Sequence, residues 1–194
     1  MQVFGGHGYI KEWGMEQIAR DARISTLYEG TTGIQGLDLL GRKILLQKGK
    51  SFRKFSTEAL LFCKDKGPIS ANPHKKDMAK FIWPLFKHLT AWNQYTIRLA
   101  LKARTDRDVV SCASVDYLMY SGYIVMAYMW AKMAQVAYEK LAAGAAQPEF
   151  YQAKIQTAEF YFERLLPRAK VYAETMMASS KSLMQMETDH FSFL

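Results

Sequence analysis

From Phe81 to Met176 the apolar residues of this chain recur every three or four positions, and no stretch alternates apolar with polar for more than a few residues. Such spacing lines one face of a helix and is incompatible with a half-buried strand. Phe81, Leu85, Leu89, Trp92, Leu99 and Ala103, with Thr96 among them, predict one long helix that is kinked or begun at Pro84. Thr105 and Asp106 predict the start of a second, ending at Gly144 after about Ala143. Its Val115, Leu118, Met119, Val125, Met126, Met129, Met133 and Val136 make a wide apolar face, and Tyr123, Ile124 and Trp130 another, so this helix is expected at the centre of a bundle. A third starts at Pro148, in the first-turn position that proline favours, and bends at Pro167. Along it Tyr151, Ile155, Ala158, Phe162, Leu165, Ala169, Tyr172 and Met176 form a seam for antiparallel packing. The fold class expected is all-α.

Glycine divides the rest: eight of the twelve glycines fall at or before Gly41, which predicts a loop-rich beginning. Residues 1–47 are therefore read as one part. Residues 48–75 read as a basic connector with a short helix over Ser51–Lys66 that stops at Gly67-Pro68, and residues 76–194 as a helical domain. Between Arg42 and Lys66 eight basic residues face only Glu58 and Asp65. Clustered like charge of this kind serves either as a solvated face or as an attractor of phosphates, a CoA-type ligand or an anionic membrane surface. No nucleic-acid motif accompanies it, so no nucleic-acid partner is expected.

With 194 residues, 49% hydrophobic and 23% charged, the composition is that of a globular chain and excludes a disordered one. Cys63 and Cys112 offer neither a disulfide framework nor a paired-cysteine zinc site. The residues from Tyr117 to Ala131 carry no charge but stop at Asp116 and Lys132, short of the roughly 20 a membrane span needs. The start lacks a basic region followed by an apolar run, so a cytoplasmic location is expected.

Two glycine-rich stretches carry the candidate chemistry, Gly5-Gly6-His7-Gly8-Tyr9 and Glu29-Gly30-Thr31-Thr32-Gly33, and neither is a dinucleotide fingerprint or a P-loop. Thr32 and Gln35 have capping-box spacing before Leu37, Leu40, Ile44 and Leu45, so a helix is expected to begin near Thr31 or Thr32. Its free N–H groups would sit beside the Glu29 carboxylate. On the residues alone Glu29 is either a helix-start acid, the commoner case, or a functional carboxylate. His7, His74, His88 and His190 show no metal spacing, so no metal is expected, and His88 reads as a core-edge histidine. Cys63 and Cys112 read as small buried apolar groups.

In order, Gln2-Val3-Phe4-Gly5-Gly6-His7-Gly8-Tyr9, Arg20-Asp21-Ala22-Arg23-Ile24 and Tyr28-Glu29-Gly30-Thr31-Thr32-Gly33-Ile34-Gln35 resemble the C-terminal end of the acyl-CoA dehydrogenases. Residues 50–190 resemble the extra helical domain of a bacterial subgroup of longer dehydrogenases, which includes enzymes acting on 3-methylmercaptopropionyl-CoA. The resemblance implies the end of that family's C-terminal helical domain followed by an antiparallel bundle. It also implies an FAD-dependent α,β-dehydrogenation of an acyl-CoA thioester to a 2-enoyl-CoA. Glu29 matches the catalytic base, Tyr28 and Gly30 match substrate-binding positions, Gln2, Val3, Phe4, Gly5 and Gly6 match the stretch that in the family lies against the flavin nucleotide of a neighbouring subunit, and Thr31, Thr32 and Gly33 match positions against FAD. Many members carry a polar or acidic side chain where Gly33 stands.

The implied partners are an acyl-CoA, electron-transfer flavoprotein or, in an oxidase variant, oxygen, and further copies in a dimer or tetramer. Most of the family's domains would precede Gln2, so the 194 residues are not expected to catalyse alone. The alternative is a non-catalytic helical module for interaction or oligomerisation, in which Glu29 is idle.

Overall fold

The computed structural model describes residues 1–28 and 31–192, and it is 82% helical, with no strand among the described residues. The all-α expectation therefore holds. Contacts divide the chain into two units, Met1–Gln35 and Gly36–Leu194.

The first unit holds two 3₁₀ turns, Gln2–Tyr9 and Lys11–Trp13, then α1 (Met15–Arg23), α2 (Ser25–Tyr28) and the start of α3 (Thr32–Leu37). Few apolar side chains are buried here, and polar bonds dominate. Glu16 pairs with Arg20 at 2.7 Å, Gln17 Nε2 donates to Asp21 at 2.8 Å, and the Ser25 and Thr26 hydroxyls donate to the Ala22 and Arg23 carbonyls at the end of α1.

In the second unit the path of α3 widens into a π-helical turn over Asp38–Leu46, followed by α4 (Lys50–Lys66), α5 (Lys75–Lys102) and α6 (Asp108–Ala142). Then come α7 (Pro148–Phe160), a second wide turn Tyr161–Leu165, a tight one Leu166–Arg168, α8 (Ala169–Met176), α9 (Lys181–Met184) and a last 3₁₀ turn, Thr188–Phe191. The α6 helix is the hub, packed by α5, α7, α8 and the Asp38–Leu46 turn, while α4 packs on α5. Because α5, α6 and α7 are consecutive, joined by short links and in contact, the chain reverses at each link and neighbours run antiparallel. The core joins Phe81, Leu85 and Leu89 of α5 to Tyr117, Tyr120 and Ile124 of α6 and to Phe162 and Leu166, all buried. Each such side chain stabilises the bundle by about 1.5–3 kcal/mol relative to exposure.

Thr96, the one polar residue in the α5 stripe, belongs to that core. Its hydroxyl donates to the Trp92 carbonyl at 2.8 Å and meets the Tyr117 hydroxyl at 2.7 Å, which removes the cost of burying both. Pro84 neither starts nor ends the helix but lies within α5, two turns after its first residue. Pro167 acts as expected: lacking an N–H and crowding the preceding turn, it replaces regular helix by a wide turn before it and a tight one around it. The α6 helix ends as read, with Gly144 at φ 73° and the Ala145 N–H donating to the Lys140 carbonyl at 3.1 Å.

One expectation is reversed. The methionine-rich face of α6 was read as core, yet Val115, Met119, Met126, Met129, Met133 and Val136 are exposed. The buried face is instead Ala113, Ala127, Ala131 and Ala134 with Tyr117, Tyr120 and Tyr128. Alanines let the neighbouring helices approach closely, and the tyrosines span the remaining gaps with their hydroxyls paired, Tyr128 to Glu58 at 3.0 Å and Tyr120 to the His88 carbonyl at 3.2 Å.

Candidate functional site

Every residue assigned above to cofactor or substrate falls in the first unit. The turn Gln2–Tyr9 packs on α1 and on Lys11–Trp13, where the Trp13 ring receives those of Phe4 and His7 at 6.4 and 6.0 Å. Two of its glycines are required. Gly5 adopts φ 55°, ψ −138°, which side chains resist, and a Cβ on Gly8 would lie 2.3 Å from the Met1 carbonyl oxygen. Gln2, Val3, Phe4, Gly5 and Gly6 are all exposed, and nothing lies within 4 Å of a Cβ built on Gly5 or Gly6. A flat group can therefore rest directly on this backbone.

The second motif begins where α2 ends. Tyr28 closes α2 with its side chain exposed, its N–H donating to the Ile24 carbonyl at 3.2 Å. Thr31 caps α3: its Oγ1 accepts from the Ile34 N–H at 3.4 Å and its carbonyl from the Gln35 N–H at 3.1 Å. The cap is thus Thr31, one residue before the Thr32 of the Thr32–Gln35 spacing, because Thr32 is already helical. Thr31 and Thr32 are exposed and Gly33 is half-buried. Glu29 and Gly30, read as catalytic base and substrate contact, lie outside the described residues. The α1 helix touches both the Gln2–Tyr9 turn and α2, the helix that ends at Tyr28.

These residues fit one edge of a flavin nucleotide. The open glycine backbone accepts close approach, Phe4 offers an exposed ring, and two threonine hydroxyls at a helix start offer hydrogen bonds to polar atoms.

The second unit has concave regions that the sequence did not announce. An open groove of about 760 Å³ lies between the end of α4, the link 67–74 and α5, with Leu60, Ile82, Trp83 and Phe86 as its apolar wall. Asn72 lines it, and behind it the buried amides of Asn72 and Gln135 exchange hydrogen bonds at 2.8 and 3.2 Å. They are 63 positions apart and no periodicity links them. A second groove, of about 940 Å³ between α5 and the Pro167 region, is bordered by His88. The ring of His88 is half-buried, its Nδ1 3.3 Å from the Tyr120 hydroxyl, and burial, then Lys87 and Lys170, push its pKa down to about 4. It is the core-edge histidine expected. Cys63 is buried as expected, its thiol pushed up to about 12 by desolvation, whereas Cys112 is half-buried.

The basic stretch is partly neutralised. Asp38 pairs with Arg42 and, at 3.0 Å, with Lys43; hydrogen bonds from these two hold its carboxyl below the usual range. Lys66 lies 3.8 Å from Glu139. No group of three His, Cys, Asp or Glu side chains comes together among the described residues.

Comparison with known proteins bears on both units. Residues 1–45 match the family described as acyl-CoA dehydrogenase, C-terminal domain, and residues 55–187 the family described as acetyl-CoA dehydrogenase C-terminal like. The chain is 34% identical over 166 residues to a 3-methylmercaptopropionyl-CoA dehydrogenase of Ruegeria pomeroyi, a match covering 86% of this chain and 27% of that protein. It is 30% identical over 195 residues to a broad-specificity linear acyl-CoA dehydrogenase of Mycobacterium tuberculosis, covering 98% of this chain and 32% of that one. A shorter match, 46% identical over 48 residues, joins 25% of the chain to 12% of a subunit of the caffeyl-CoA reductase–Etf complex of Acetobacterium woodii. The chain spans less than a third of the length of these curated relatives.

Proposed function

Because this chain belongs to the acyl-CoA dehydrogenase family, we propose that it supplies the proton-abstracting end of a flavoenzyme that converts an acyl-CoA thioester to its 2-enoyl form. The observation that carries this reading is the order of the motifs Gln2–Tyr9, Arg20–Ile24 and Tyr28–Gln35 inside residues 1–45, the stretch that matches the family's C-terminal domain. Glu29 takes the α-proton. An apolar acyl chain packed beside a carboxylate disfavours its charged form and brings its pKa toward the working pH, at about 1.4 kcal/mol per unit. The backbone at Glu29 helps to hold the thioester carbonyl as negative charge develops on its oxygen. Tyr28 lines the acyl pocket and Gly30 lets the thioester approach.

FAD, when bound, supplies the acceptor for the hydride that leaves the β-carbon. Gln2 through Gly6 hold one edge of it through their open backbone, Thr31 and Thr32 offer hydroxyls, and Gly33 brings no side-chain contact. Electrons then pass to electron-transfer flavoprotein, a reading supported by the match to a subunit of an Etf complex.

The test uses a polypeptide that carries these residues together with the remaining domains of a full-length relative. Glutamine keeps the size of Glu29 but cannot accept the proton, so Glu29→Gln is expected to lower the rate of flavin reduction by a saturated acyl-CoA by more than about 100-fold while FAD stays bound. A comparable rate in the variant would place the base elsewhere. If Glu29 serves only the helix start, the change costs about 0.5–2 kcal/mol of stability and leaves turnover intact.

A further inference from the structure

The end of α3 lies closer to α6 than any side chain would allow. Gly36 is buried, and a Cβ built on it would stand 2.8 Å from both the carbonyl carbon and the carbonyl oxygen of Ser114 and 3.1 Å from the Val115 nitrogen. These are backbone atoms inside a helix, held by its hydrogen bonds, and they cannot swing aside as the tip of a side chain would. Ser114 is itself buried, its hydroxyl turned back to donate to the Ser111 carbonyl at 2.9 Å. Farther along the same path Leu40 and Ile44 are buried, so one face stepping by four residues from Gly36 seats this segment on the bundle. Gly41 is under no such constraint: a Cβ there would meet Val110 Cγ1 at 3.6 Å, an ordinary contact. Both partners of the Gly36 contact belong to the second unit.

We propose that Gly36 is a positioning residue for the dehydrogenation: by letting α3 lie backbone to backbone on α6, it sets where the helix starts and so where the Glu29 carboxylate meets the α-carbon of the acyl group. Thr31, the cap of α3, stands five residues before Gly36, and Glu29 two residues before that. Five residues of helix rise only about 7.5 Å, so a displacement forced at Gly36 reaches the helix start almost undiminished. Glycine inside a helix is less stable than alanine, and here that loss is exchanged for closeness. The chemistry is sensitive to such a shift, because misplacing a reacting group by about 1 Å can lower a rate about 100-fold. The inference rests on the reading of Glu29 as the base, and it gives the helical domain a part in the reaction through packing alone.

Two measurements test it. In the flavin-free 194-residue chain, the Gln35 N–H donates to the Thr31 carbonyl at 3.1 Å, and its hydrogen exchange is expected to be about tenfold faster or more in Gly36→Ala, and unchanged in Gly41→Ala. In the polypeptide that joins these residues to the remaining domains of a full-length relative, bleaching of the flavin by a saturated acyl-CoA is followed in a single turnover. Its amplitude counts folded enzyme and its rate constant reports placement of the base. Gly36→Ala is expected to lower the rate constant at saturation about tenfold or more, with the half-saturating concentration changed less than about twofold, while Gly41→Ala reacts as wild type. Leu40→Ala loosens the same seat without overlap and is expected to slow bleaching about threefold, with Leu40→Met restoring it. If Gly36→Ala retains no bleachable flavin, the two Leu40 variants decide. A wild-type rate constant in Gly36→Ala, a loss confined to amplitude, equal slowing by Gly41→Ala, or unchanged Gln35 exchange would overturn the proposal. Glu29→Gln, run alongside, separates the two readings: slow Glu29→Gln with fast Gly36→Ala removes the positioning role and leaves the base in place. Fast Glu29→Gln removes the base, and with it a Gly36 that acts through it.

Discussion

At the edge of the core the His88 ring is kept neutral by its own surroundings: the α5–α6 packing desolvates it, and Lys87 and Lys170 add positive charge nearby. Its pKa falls to about 4 in the folded chain against 6.5 unfolded. A depressed folded value means that stability is complete above pH 6.5 and is lost as the pH falls toward 4, because the unfolded chain takes the proton first. The ring is only half-buried and solvent screens part of the effect, so the loss is expected to be roughly 1–3 kcal/mol rather than the full value of the shift. Urea midpoints of wild type and His88→Gln between pH 7 and 4.5 check this. The difference between the two chains is expected to shrink as the pH falls; parallel curves would remove His88 from the account. Single residues of this kind were only partly legible. His88 could be read as a core-edge side chain from its place beside the α5 stripe, whereas the Asn72–Gln135 amide pair could not, because sequence spacing says nothing of which distant links meet. Thr31 caps α3 in place of Thr32 because both threonines have the right chemistry, and only backbone geometry decides which one stands outside the helix.

Among the elements, the helix from Pro148 onward was read correctly even through its bend. Every residue of its predicted seam from Tyr151 to Met176 is buried or half-buried, with the Phe162 ring 5.2 Å from that of Phe81. Phe162→Ala is therefore expected to cost about 3–5 kcal/mol by urea unfolding, and a cost below about 1 kcal/mol would put the ring at the surface. The α6 helix was read less well for a physical reason. Period and length follow from backbone geometry and are visible in any apolar pattern, but a helix that is apolar all round does not say which side its neighbours take. Here they took the side on which small side chains allow close approach, Ala127, Ala131 and Ala134, rather than the side richest in apolar surface. Counting hydrophobicity favoured the methionines, and packing favoured the alanines.

For the whole molecule the deciding contrast is between a second unit with a continuous core and a first unit whose predicted cofactor residues are nearly all at the surface. Motif order named the candidate residues, and the glycine-rich beginning that reads as loop holds a tight turn in which Gly5 and Gly8 are required. The enclosure of the site was not legible, because walls that close around a ligand come from distant parts of a chain. Sites that hold a ligand of this size usually bury 70–90% of its surface. An edge made of Gln2–Gly6, Thr31 and Thr32 covers far less, and binding must first repay the lost freedom of the cofactor. The 194-residue chain is accordingly expected to release FAD during gel filtration and to bind it more weakly than about 100 µM by fluorescence quenching. The helical circular dichroism is expected to be the same with and without the flavin, because the α4–α8 core contains none of these residues. A sample that stays yellow through the column would show that the first unit encloses the cofactor more fully than its exposed glycine backbone allows.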